Sequence, residues 1–155
     1  MILSKAKIFQ DTEYHFLLVE YNPDNQGYYE LISEQKEYEN IQVLLTTYLM
    51  FQLMSNLMSN GYVITEIKID DSNQEEEIES LITLLTSRNN DVRPFLKIAE
   101  SVFLENMISI NKITLLLDYP KSIKVSFFES GIVEFGGLAQ DDVEKLINEN
   151  LRWTD

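Results

Sequence analysis

Apolar residues recur at every second position in some stretches of this chain and at every third or fourth in others, and the switches between those periods delimit its elements. Near the N-terminus, Tyr14, Phe16 and Leu18 alternate with His15, Leu17 and Val19. Both rows are largely apolar, which predicts a strand covered on both faces. Pro23, Asp24, Asn25 and Gly27 supply turn chemistry before the apolar run Tyr28 to Ile32, so a hairpin with an acidic tip at Asp24 is expected.

From Glu34 to about Asn60 neither Pro nor Gly occurs, apolar residues fall at helical spacing, and Gly61 stands where a helix stop belongs. One long helix, or two joined by a kink, is predicted there. "YVITEIKID" follows as a strand. Ser72 and Glu75 match the reciprocal capping pattern, with Ile78, Leu81, Ile82 and Leu85 forming a stripe behind them. The next helix starts near Pro94 and carries Phe95, Ile98, Ala99, Val102, Phe103 and Met107 on its expected inner side.

"KITLLLDYP", "SIKVSFF" and "IVEF" read as three meandering strands, and "LAQDDVEKLINENLRW" as a closing amphipathic helix with Val143, Leu146, Ile147 and Leu151 inward. The order is roughly βββ-α-β-α-α-βββ-α. Segregated strands and helices of this kind imply one α+β domain over residues 1–155, a mainly antiparallel sheet with helices packed on one face.

"LMFQLMSNLM" raises a separate question. Leu49, Met50, Leu53, Met54, Leu57 and Met58 cover about half a helix circumference. No charged residue occurs from Ile41 through Thr65, so the polar side of this helix is expected to be covered as well. Methionine suits adaptable grooves and ordinary cores alike. The core reading is preferred, with Met50, Phe51, Met54 and Met58 as the residues that would form a groove or a homodimer contact if one side stayed open.

Composition narrows the function. Acidic residues number 26 against 12 basic ones, a formal charge of −14. Such a surface repels phosphate backbones and anionic lipid and attracts basic proteins, so no direct nucleic-acid or membrane partner is expected. With no cysteine, disulfides, thiolate metal sites and cysteine nucleophiles are excluded. No apolar run has signal-peptide or membrane-span character, and a cytoplasmic location is expected.

His15 is the only histidine, so one chain can build neither a two-histidine metal site nor a Ser-His-Asp relay. Its place in an apolar pattern suggests a structural role. "FGGLAQ" lacks the spacing and the lysine of a phosphate-cradling loop. Calcium is not expected, because Ser33 stands where the loop beginning at Asn22 would need its bidentate glutamate. No catalytic residue, cofactor or metal is assigned.

Recognition chemistry is what remains. Asp70, Asp71, Glu75, Glu76, Glu77 and Glu79 place six carboxylates in ten residues. Asp24, Tyr28, Tyr29 and Glu30, with Glu34, Glu37, Tyr38 and Glu39 beyond them, surround tyrosines with acids, a combination that anchors well on a basic surface. The expected function is a non-enzymatic acidic protein-binding module, a stoichiometric inhibitor or immunity protein that occludes a basic surface of a toxin or nucleic-acid-processing protein. The alternatives are a small acidic dimeric secretion-type chaperone and, below it, a carboxylate-dependent hydrolase.

Overall fold

The computed structural model describes residues 3–70, 76–87 and 91–151. Strands β1 (Ser4–Gln10), β2 (Phe16–Glu20), β3 (Ile41–Gln42), β4 (Val63–Ile69), β5 (Ile110–Leu117), β6 (Ile123–Phe128) and β7 (Ile132–Gly136) form one antiparallel sheet. Its main path runs β2-β1-β7-β6-β5-β4, with β3 joined to β1. The helices are α1 (Tyr28–Glu37), α2 (Thr47–Met58), α3 (Glu76–Leu85), α4 (Arg93–Glu105) and α5 (Gln140–Asn150). The fold is α+β with an antiparallel sheet, as the sequence implies; α2 to α5 pack on one face, and α1 departs from that expectation by covering the other, where Lys7 and Phe9 of β1 point.

Period-two alternation explains the core. Ala6 and Ile8 of β1, Val125 and Phe127 of β6 and Val133 and Phe135 of β7 point to one face, where they meet apolar side chains of α2, α3, α4 and α5. In β4 both Ile64 and Ile67 are buried, although they stand three positions apart. A bulge at Thr65 takes up the extra residue, since the register steps from Ile64 opposite Leu115 to Glu66 opposite Thr114.

The expected second strand of a hairpin at Tyr28 to Ile32 is instead the start of α1. Leu31 and Gln35 are its buried pair, one helical turn apart, while Tyr29, Glu30, Ser33, Glu34 and Glu37 are exposed. The hairpin of this region is β1–β2, with Gln10 opposite Phe16. Tyr14 and His15 therefore sit in its turn and not in a strand, Tyr14 having φ 66°.

Nor does one helix run from Glu34 to Asn60. Helix α1 stops as Glu39 takes φ 65° and Asn40 returns to Gln35 through both its backbone N–H (2.9 Å) and its side-chain amide (2.9 Å). Ile41–Gln42 then pairs with β1, and α2 restarts at Thr46, whose Oγ1 accepts from the Leu49 N–H at 3.3 Å. This short segment supplies the third strand.

Helix α4 begins with Pro94 in its first turn, but its buried stripe is Leu96, Ala99 and Phe103. Phe95, Ile98 and Met107, expected inside, are exposed. The Ser72–Glu75 capping pair lies outside the described residues, whereas Ile78 and Leu85 of α3 are buried as expected.

Candidate functional site

The N-terminal part of the site is built by Asn22, whose Oδ1 accepts from the Asp24 N–H (3.0 Å) and whose carbonyl accepts from Asn25 (3.0 Å) and Gln26 (3.1 Å). This closed turn presents Asp24 to solvent and delivers Gly27 as the residue preceding α1. Helix α1 then lies on the sheet face opposite the main core, above β1 and β3.

Beneath it is the most unusual group in the described structure. Lys7 alternates with Ala6 and Ile8, so its side chain leaves β1 on the α1 side, where it is fully buried. Its ammonium donates to the carbonyls of Val43 (2.9 Å) and Ser130, and lies 5.7 Å from the Phe9 ring centre and 5.9 Å from that of Tyr28. Among the described residues no carboxylate pairs with it, and burial lowers its pKa to about 8. Two carbonyl dipoles and two aromatic faces replace part of the lost hydration.

Gly131 makes this approach attainable. It has φ +81°, and a Cβ there would collide with the Val43 carbonyl oxygen and with Lys7 Nζ. Tyr28 closes the cage, its hydroxyl donating to the Ser130 carbonyl (3.2 Å), with Gln42 Oε1 3.4 Å away as a second acceptor for the same proton. Its ring meets Tyr21 and Tyr29 edge to face, at 5.9 and 5.6 Å between centres. Burial and the neighbouring tyrosines raise the Tyr28 pKa.

Thus of the expected tyrosine patch, Tyr28 is an internal anchor and Tyr29 the outward member, 83% exposed. Asp24, Glu30, Glu34, Glu37 and Glu39 are exposed around it, and Tyr38 (68% exposed) and Ile41 extend the surface past the end of α1. The arrangement offers aromatic area and fixed negative charge on a helix held from below.

The second expected patch is more dispersed. Asp70 is exposed at the end of β4, and Glu76, Glu77 and Glu79 are exposed in the first turn of α3, where the helix dipole favours them. Asp71 and Glu75 lie outside the described residues.

Met50, Phe51 and Met54 are buried and Met58 packs partly buried against the same core, so this helix face forms no groove. Phe51 meets Phe103 of α4 edge to face at 5.4 Å. Part of the uncharged polar side of α2 is covered by α5, with Asn56 donating to the Asn150 carbonyl (2.8 Å) and Asn60 to Asn150 Oδ1 (3.2 Å). Beside them, Tyr48, Gln52 and Ser55 of α2 and Arg93 and Lys97 of α4 border an open cavity of about 370 Å³.

His15 is exposed in the β1–β2 turn, 3.6 Å from Asp11 and 3.7 Å from Glu13. Among the described residues no group of three or more histidine, aspartate or glutamate side chains is placed to hold a metal ion, and no helix is long and apolar enough to cross a membrane.

Sequence patterning missed one further constellation. Gln140, Glu144 and Asn148, spaced four apart on α5, line the outer edge of β2. Asn148 accepts from the Phe16 N–H and donates to the Phe16 carbonyl (both 2.8 Å), Glu144 accepts from the Leu18 N–H (2.9 Å), and Gln140 donates to the Leu18 carbonyl (3.0 Å). Three helical side chains stand in for a neighbouring strand. Their i, i+4, i+8 spacing was the available signal.

No known protein family, curated protein or solved structure matches this chain.

Proposed function

We propose that the protein is a non-enzymatic acidic binding module that docks the outer face of α1 on a basic protein surface. In its most concrete form it is a stoichiometric inhibitor or immunity protein for a toxin or nucleic-acid-processing protein, acting in the cytoplasm. The observation that carries this reading is the exposure of Tyr29 and Tyr38 among Asp24, Glu30, Glu34, Glu37 and Glu39, on a helix anchored through Tyr28. Rigid aromatics contribute contact area at small entropic cost, and the carboxylates steer and orient a cationic partner. A formal charge of −14 adds a long-range attraction for such a surface.

The dimeric-chaperone alternative would need an apolar surface other than Met50, Phe51 and Met54, which are buried in the core. A hydrolase would need two convergent carboxylates, and the α1 acids are spread along a convex helix.

Affinity capture at about 0.1 M and 0.5 M salt tests the proposal, since screening shortens from about 10 Å to less than half of that. The triple variant Glu30→Lys, Glu34→Lys, Glu37→Lys is compared with a control triple, Glu76→Lys, Glu77→Lys, Glu79→Lys. The expected result is a basic protein that is held by the wild type and by the control, lost by the α1 variant and at high salt, and blocked in its own activity at one-to-one stoichiometry. Equal retention by the α1 variant, or retention without inhibition, defeats it.

A further inference from the structure

The two edges of the sheet are treated differently. At β2 the outward backbone groups of Phe16 and Leu18 are taken up by Asn148, Glu144 and Gln140. At the other end, β4 is terminal in the strand order, and among the described residues no strand pairs with its outer side. An uncovered edge strand is a template for another chain.

The side chains of β4 restrict what that chain can be. Glu66 and Lys68 are two residues apart and so share the sheet face opposite the core, where their neighbours across the ladder are Thr114 and Lys112. Lys112 Nζ lies 3.1 Å from a Glu66 carboxylate oxygen, and the Thr114 hydroxyl donates to that oxygen at 3.3 Å. The carboxylate is therefore oriented at the rim of the sheet, while Lys68 is exposed beside it.

We propose that β4 pairs antiparallel with β4 of a second copy about a twofold axis through Ile67, joining two sheets into one. This register sets Glu66 of each copy opposite Lys68 of the other, giving two reciprocal charge pairs across the seam. Each Glu66 then lies between Lys112 of its own chain and Lys68 of its partner.

The neighbouring registers that keep the same faces aligned fail on charge. Centring the axis on Glu66 opposes two glutamates. Centring it on Lys68 opposes two lysines and also brings Glu66 against Asp70. Directly opposed like charges destabilise a strand pair, so of these three registers charge favours the one centred on Ile67. Register irregularities lie on both sides, the bulge at Thr65 and the step between Lys68 and Ile69 in the ladder with β5, and they limit the length of this pairing. The α1 surface lies elsewhere on the molecule, and the inference is independent of the proposed function.

Sedimentation equilibrium of the full chain up to roughly 1 mM, where millimolar contacts become populated, tests the pairing. The wild type, Glu66→Lys, Lys68→Glu and an equimolar mixture of the two variants are compared, with circular dichroism as the control for folding. The wild type is expected to dimerise. Each single reversal opposes like charges at both ends and is expected to weaken association by about tenfold or more. Mixing the two variants opposes unlike charges throughout and restores it.

A wild type that stays monomeric up to that concentration overturns the proposal. So does a dimer indifferent to both reversals, which would point to the exposed Phe95, Ile98 and Met107 of α4. Failure of the mixture to associate when both variants are folded also overturns it.

Discussion

The buried Lys7 makes a quantitative demand on stability. Its pKa falls from 10.5 to about 8 on folding, so with Lys7 charged the folded state forfeits on the order of 3 kcal/mol relative to a fully hydrated lysine. Because the folded value lies below the unfolded one, the unfolded chain holds this proton more tightly between pH 8 and 10.5. Stability then increases with pH, and integrating the proton difference from about pH 7 to about pH 10 gives a rise of roughly 2 to 3 kcal/mol. Replacing Lys7 by Met keeps most of the volume and removes the titration. It also deprives the Val43 carbonyl of its donor, whereas Ser130 retains the Tyr28 hydroxyl. At neutral pH these effects oppose each other, the lost hydrogen bonds costing about 1 to 3 kcal/mol against the relief of burying no charge. The diagnostic quantity is the difference between wild type and Lys7→Met in urea unfolding, followed by circular dichroism at unit pH steps. That difference should shift in favour of the wild type by roughly 2 to 3 kcal/mol across the interval. Tyr28 and Tyr62, raised by burial above their ordinary 10.0, oppose the trend only near and above that pH. Parallel pH profiles for the two proteins would refute the buried-ammonium account.

Two further substitutions test the supports of the fold. Asn148→Ala should cost about 1 to 3 kcal/mol in urea unfolding, because it strips a donor and an acceptor from Phe16, and should increase light scattering on storage as the β2 edge opens. Gly131→Ala should destabilise by more than the roughly 1 kcal/mol of its backbone conformation, since the added methyl group also meets Val43 and Lys7. A thermal midpoint unchanged from wild type would contradict that reading.

The legible parts of the fold were those where one period ran without competition. Strands β5, β6 and β7 and helix α5 have clean two- or three-to-four-residue repeats bounded by Gly131 or the Gly136–Gly137 pair, and they appear as expected. Region 28–46 misled because tyrosine and isoleucine favour strands locally, whereas the burial of Leu31 and Gln35 requires a helix. Its end carries no glycine, and the returning bonds of Asn40 stop it instead. In α4 the apolar residues surround the helix, so spacing alone did not separate Phe95 and Ile98 from Leu96 and Ala99. The acidic surface residues were visible in composition. Lys7 was not, because a single lysine in a strand reads as solvent-facing until the helix that covers it is known.

The α5 cover on β2 also has a temporal meaning. Gln140, Glu144 and Asn148 are separated by 122 to 132 residues from the strand whose edge they close, and β7, the second long-strand neighbour of β1, is almost as distant. During synthesis at roughly 5 to 20 residues per second, the β1–β2 hairpin would wait on the order of 6 to 25 seconds for those partners to be made. Throughout that interval the nascent chain carries an uncovered β2 edge, and a β1 edge that β3 covers only at Phe9 and Gln10. The helix that seals the β2 edge is thus the last described element to be made, and until then that edge lacks the side chains that close it in the folded domain.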